Sequence, residues 1–167
     1  MTTKHVSNQE RTRSIALVGL VAALYVALTM TLPALAYGAV QLRLSEGLNH
    51  LAVFNKRYIL ALSIGVFIVN IFSPMGIVDM VFGTLGTLVM TTMSYYSARY
   101  FHNIWIKLAI STVIDTAMMW AVALELNLYA GAPFWITYGW VALGEFIALV
   151  IGAVIIGLIG KRVNLAR

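Results

Sequence analysis

The chain has 167 residues, of which 61% are hydrophobic and only 10% charged, with a net charge of +5. An ordinary soluble domain carries about 25% charged residues, so this sequence can form one domain but lacks the polar surface to dissolve alone. It has no Cys, which excludes disulfides, thiolate metal sites and cysteine catalysis.

Met1 to Arg13 is polar and reads as a short cytoplasmic tail. A first span runs from Ser14 to Leu32 and Pro33 closes it. Arg11 and Arg13 ahead of an apolar run ending at Ala34-Leu35-Ala36 resemble a signal peptide with its cleavage site. The run is longer than the ~7–15 residues of such a core, so the span is read as uncleaved. Within it Gly19, Ala23 and Ala27 recur at four-residue spacing. This small-residue seam either packs against the chain's own spans or docks a second membrane subunit.

A loop through Tyr37 and Gly38 leads to Arg43 and a short second span, Leu44 to Phe54. As an α-helix it covers roughly 17 Å of a ~30 Å hydrocarbon core. Asn55-Lys56-Arg57 turns the chain into a third short span, Tyr58 to Phe72. Spans this short must be tilted or sheltered by neighbouring protein. Ser73-Pro74-Met75-Gly76 leads to a fourth span, Ile77 to Tyr96, and a loop from Arg99 to Lys107 to a fifth, Leu108 to Leu126. Asn127 to Pro133 precedes the sixth, Phe134 to Ile159. The expected fold is an all-α membrane protein of six transmembrane helices with short loops. One domain, residues 14–160, lies between tails at 1–13 and 161–167.

Charge sets the orientation. With both termini cytoplasmic, inside segments hold Lys4, Arg11, Arg13, Lys56, Arg57, Arg99, Lys107, Lys161, Arg162 and Arg167, while outside segments hold only Arg43. Basic residues beside spans resist translocation. Topology and anionic membrane lipid explain the positive charge better than nucleic acid does, because no solvated basic domain exists.

The acids then gain a depth. Glu46, Asp79 and Glu125 fall near the outer boundary, and Asp115 and Glu145 near the midplane. A carboxylate at that depth costs several kcal/mol unless it faces a cavity or a partner, so an outward-opening polar pocket is expected. Glu46, Asn49 and His50 share one face if the second span is α-helical. They form either a binding wall or an interhelical hydrogen-bond patch. Asn70, Ser73 and Asp79 converge at an outer turn, where Asp79 either binds ligand or caps the fourth span. Asp115 and Glu145 either contact ligand or pair with a neighbouring helix. Trp140 is deeper than an interfacial belt requires and offers a stacking surface. No metal or cofactor is expected. No phosphate-binding G-x-x-x-x-G-K-[ST] loop and no nucleophile motif occurs, so any ATP hydrolysis belongs to another subunit.

Several stretches carry a family resemblance: Gln41-Leu-Arg-Leu-Ser-Glu46, Asn49-His50 through Lys56-Arg57-Tyr58, Asn70 through Ser73-Pro74-Met75-Gly76 to Asp79, and Gly144-Glu145. With the small-residue first span and six short-loop helices, they resemble the substrate-binding S components of energy-coupling factor (ECF) transporters, of the QueT type linked to queuosine precursors. The resemblance covers nearly the whole chain and is most specific from Gln41 to Gly86. It implies a bacterial plasma-membrane subunit that captures a 7-deazaguanine from outside. It also implies a transmembrane coupling subunit of the EcfT kind, two cytoplasmic ATPases of the EcfA kind, and toppling of the subunit in the membrane. The seam at Gly19, Ala23 and Ala27 would meet the coupling helices, and residues 34–43 would be the lid.

The ligand types match. A 7-deazaguanine offers a donor edge that one carboxylate accepts bidentately, a carbonyl that wants a donor, and in its aminomethyl form a cation. Glu145, Asp79, Glu46 and Asp115 supply acids; Asn70, Asn49, Gln41 and Arg43 supply donors; Trp140 supplies a ring. The alternatives are an S component for another flat vitamin-like ligand, a stand-alone carrier, and an intramembrane enzyme using Asp115 and Glu145.

Overall fold

The computed structural model describes residues 8–38 and 40–166. Lys4, Arg167 and the start of the expected N-terminal tail lie outside the described residues. Seven α-helices and one 3-10 helix follow in order: α1 Asn8–Thr31, α2 Pro33–Ala36, the 3-10 segment Leu44–Val53, α3 Arg57–Asn70, α4 Ile77–Ala98, α5 Ile104–Met118, α6 Trp120–Ala130 and α7 Phe134–Gly160. Among the described residues four helical stretches are long and apolar enough to cross a membrane: α1, α4, α5 with α6, and α7. The chain is a multi-pass membrane protein.

The expected set of six helices is therefore corrected in four places, the first being the added short helix α2 after the first span. The helix of the first span starts at Asn8, inside the expected tail. The fifth span is broken at Met119 into α5 and α6. The second span is a 3-10 helix rather than an α-helix.

That last difference matters most. A 3-10 helix rises ~2.0 Å per residue, so ten residues reach about 20 Å where an α-helix would reach about 15 Å. Runs longer than about 3–4 residues are uncommon, and this one persists because protein surrounds it. Eight of its ten residues are buried, against α1, α3, α4, α5 and α7. The short span is thus sheltered inside the bundle. Its closest neighbour is α7: a Cβ at Gly47 would sit 2.9 Å from the Cα of Gly152 and 3.0 Å from the Ala148 carbonyl. Only two glycines allow that approach.

The core runs from Val21 and Tyr25 of α1 through Leu51 and Val53 to Leu62 and Val66 of α3 and Ile156 of α7. On α7 the buried stripe is Val141, Gly144, Glu145, Ala148, Leu149, Gly152 and Ile156. The opposite stripe, Ile136, Trp140, Leu143, Ile147, Val150 and Val154, is exposed, as a lipid-facing surface must be.

Candidate functional site

Gly38 and residues 40–43 form a strap against the end of α3 and against α7. Gln41 donates its backbone N–H to the Gly38 carbonyl at 3.1 Å and sits at φ 47°. That left-handed conformation costs a residue with a side chain about 1–2 kcal/mol, and it persists where surroundings over-determine it. Here they do. Arg43 donates from Nε to the Ala36 carbonyl at 3.1 Å and from Nη1 to Asn70 Oδ1 at 3.2 Å. Its guanidinium lies 5.1 Å from the centre of the Tyr37 ring. Tyr37 in turn donates its hydroxyl to the Val69 carbonyl at 2.6 Å. Burial raises the phenol above its ordinary pKa, which keeps that donor protonated.

Beneath the strap is a cavity of about 50 Å³. Its polar lining is Gln41, Arg43, Glu46 and Glu145, with Thr87. Its apolar lining includes Phe82, Met90, Met118, Met119, Val122 and Val141. Glu46 is held on both oxygens: Tyr25 donates its hydroxyl to Oε1 at 2.5 Å and Asn49 donates to Oε2 at 2.7 Å. Glu145 is different. It is 3% exposed, and its Oε1 is buried with no hydrogen-bond partner among the described residues. An unpaired acceptor in such a place costs ~1–3 kcal/mol.

The other expected site residues separate into two groups. Asn49 and Asn70 hold cavity residues, since one fixes Glu46 and the other fixes Arg43. Asn70 also donates to the Asp79 backbone carbonyl at 2.8 Å, and Ser73 donates to the Asp79 carboxylate. Glu125 contacts Asp79 from α6. This cluster ties α3, α4 and α6 behind the strap. Asp79 is in the first turn of α4 but makes no side-chain cap at Gly76.

Asp115 and Trp140 do not line the cavity. Asp115 is fully buried and accepts from Ser94 at 2.8 Å and Ser111 at 3.0 Å, so it links α4 to α5. Trp140 is 50% exposed on the outer stripe of α7. At about 100° per residue it is roughly 140° around the helix from Glu145. His50 also parts from Glu46, because a 3-10 helix repeats every three residues. Its Nε2 donates to the Leu149 carbonyl at 2.9 Å. Among the described residues no group of three or more His, Cys, Asp or Glu side chains is placed to hold a metal.

Sequence reasoning missed the apolar wall and Tyr25. Phe82 supplies the ring that Trp140 was expected to supply, and it packs edge-on to Tyr129 with centroids 5.8 Å apart. The signal was present: Asp79, Phe82, Gly83, Gly86, Thr87 and Met90 repeat at helical spacing along one face of α4.

Gly144 lets the strap close. A Cβ there would overlap the Val40 backbone carbonyl. Gly144→Ala is expected to lift the strap beside Glu145, at a cost of about 1 kcal/mol. The measurement is ligand affinity in purified protein, with about fivefold weakening; unchanged affinity would show that strap closure is not needed.

The family model described as QueT transporter matches residues 15–161. The chain is 42% identical over 168 residues to the queuosine precursor transporter QueT of Lactococcus lactis subsp. cremoris (strain MG1363), covering 95% of this chain and 99% of that one. No solved structure matches it. From residue 15 to residue 161, spans, strap and cavity included, the chain belongs to the QueT transporter family.

Proposed function

We propose that this chain is the substrate-binding membrane subunit of an ECF-type importer, and that it binds a queuosine precursor of the 7-deazaguanine class. The observation that carries the reading is the buried, unpartnered Oε1 of Glu145 in a cavity wall shared with Glu46, Arg43 and Gln41. The N1–H and exocyclic amine of a 7-deazaguanine form one donor edge, and Glu145 accepts both. Arg43 or Gln41 donates to the ring carbonyl. Glu46, already ordered by Tyr25 and Asn49, faces a cationic aminomethyl arm where the ligand has one. Phe82 stacks on the ring.

The cavity is contracted, and a bicyclic base needs more than about 50 Å³. The side chains that yield are methionines. Met90, Met118 and Met119 are unbranched and adaptable, and Met119 stands at the break between α5 and α6.

The energy source lies elsewhere. Gly19, Ala23 and Ala27 of α1 are exposed, and an added Cβ at Gly19 would meet nothing within 4 Å. The small-residue seam is therefore free for a coupling subunit, which two ATPases would drive, with the termini cytoplasmic and the strap outside.

Isothermal calorimetry of the purified chain tests the ligand. Nitrile, aminomethyl or queuine bases should bind, and flat vitamins of other classes should not; the reverse result would reject the assignment. Vesicles holding this chain alone should not accumulate the base, and uptake without partners would favour a free-standing carrier.

A further inference from the structure

A second feature runs along the bundle, from Leu28 and Leu44 beside the strap to Leu165 at the other end. An apolar groove of about 530 Å³ runs between α1 and α7, with the 3-10 segment as its floor. Leu20, Leu24, Leu48, Tyr58, Ile155 and Ile159 are among its walls. It ends at Leu165. That same residue lines a polar recess of about 340 Å³ together with Lys161, Arg162 and Asn164. Groove and recess thus meet at Leu165, one oily and one cationic.

The cations at this end are numerous. Asn55 of the turn before α3 donates to the Ala166 carbonyl at 2.9 Å, so that turn and the C-terminal segment meet. Lys161 Nζ stands 5.4 Å from the Trp105 ring, so the start of α5 meets them too. Arg57 lies over the ring of Tyr58, a groove residue, and its Nε is buried without a hydrogen-bond partner. Lys56, Arg57, Lys107, Lys161 and Arg162 all lie within two residues of these contacts.

We infer that the groove and recess together form a site for one anionic phospholipid, with an acyl chain between α1 and α7 and the headgroup at Lys161, Arg162 and Arg57. The cations beside Tyr58 and Leu165 argue for a negatively charged headgroup at that end, and the apolar walls for a hydrocarbon chain. The small-residue seam at Gly19, Ala23 and Ala27 lies on a different face of α1 and stays open. Lipid in the groove would cover the exposed edge of the 3-10 segment, which carries Glu46 on another side. Each basic residue near a headgroup contributes about a fivefold preference for negative charge.

Native mass spectrometry of the full chain in detergent tests this, using phosphatidylglycerol and phosphatidylcholine with identical acyl chains. The expected result is preferential retention of one phosphatidylglycerol. The double substitution Lys161→Gln with Arg162→Gln should reduce that retention by about 25-fold, at about fivefold per residue, and leave phosphatidylcholine unchanged. Both residues are exposed beyond the end of α7, so the fold should survive, as circular dichroism would confirm. Ile155→Trp, which fills the groove without touching charge, should lower retention of both lipids. Equal retention of the two lipids by the unaltered chain, or undiminished phosphatidylglycerol in the double variant, overturns the site. None of these outcomes depends on which solute fills the cavity beneath the strap.

Discussion

Replacing Glu145 with glutamine is expected to weaken binding of a 7-deazaguanine by about 5- to 150-fold, or about 1–3 kcal/mol. The substitution keeps the shape but turns one accepting oxygen into a donor. That amide would face the ligand's own N–H groups, so two donors would meet and one hydrogen bond would be lost. Compensation from nearby is limited, since both oxygens of Glu46 are already engaged by Tyr25 and Asn49. Calorimetry on the purified variant is the measurement, and affinity equal to that of the unaltered chain would remove Glu145 from the site. Asp115→Asn is the matched control. Asp115 is occupied by Ser94 and Ser111 and lies outside the cavity, so the loss of affinity should fall below the roughly fivefold lower bound expected at Glu145.

The second large effect is on stability. Gly152→Val should destabilise the protein by about 1–3 kcal/mol or more, the cost of forcing atoms into a packed contact. The new side chain would meet the backbone of Gly47, which is flanked by further backbone rather than by a side chain able to rotate away. The 3-10 segment would be pushed off α7, and with it Glu46 and the His50 bond to Leu149. Thermal unfolding in detergent, followed by circular dichroism, reads the loss. An unchanged midpoint would mean that the two backbones do not touch. Gly19→Val, on the open seam of α1, should leave the midpoint of the isolated chain nearly unmoved.

Much of the molecule was legible in the chain itself. Apolar runs separated by charged turns give the spans, because hydrocarbon tolerates only helices whose backbone bonds are internal. The order and bounds of α3, α4 and α7 follow from those runs to within a few residues. The acids deep in apolar segments pointed to a polar interior, and Gln41, Arg43, Glu46 and Glu145 do share a cavity wall.

What the chain could not disclose depends on partners distant in sequence. Composition between Leu44 and Val53 fits an α-helix as readily as a 3-10 helix. The choice comes from Gly152, whose missing side chain admits the tighter element, and from the five helices around it. That winding then separates His50 from Glu46. Likewise Asp115 and Glu145 look alike as buried carboxylates. Only the folded neighbourhood distinguishes them: Ser94 and Ser111 satisfy one, while Oε1 of the other has no hydrogen-bond partner among the described residues.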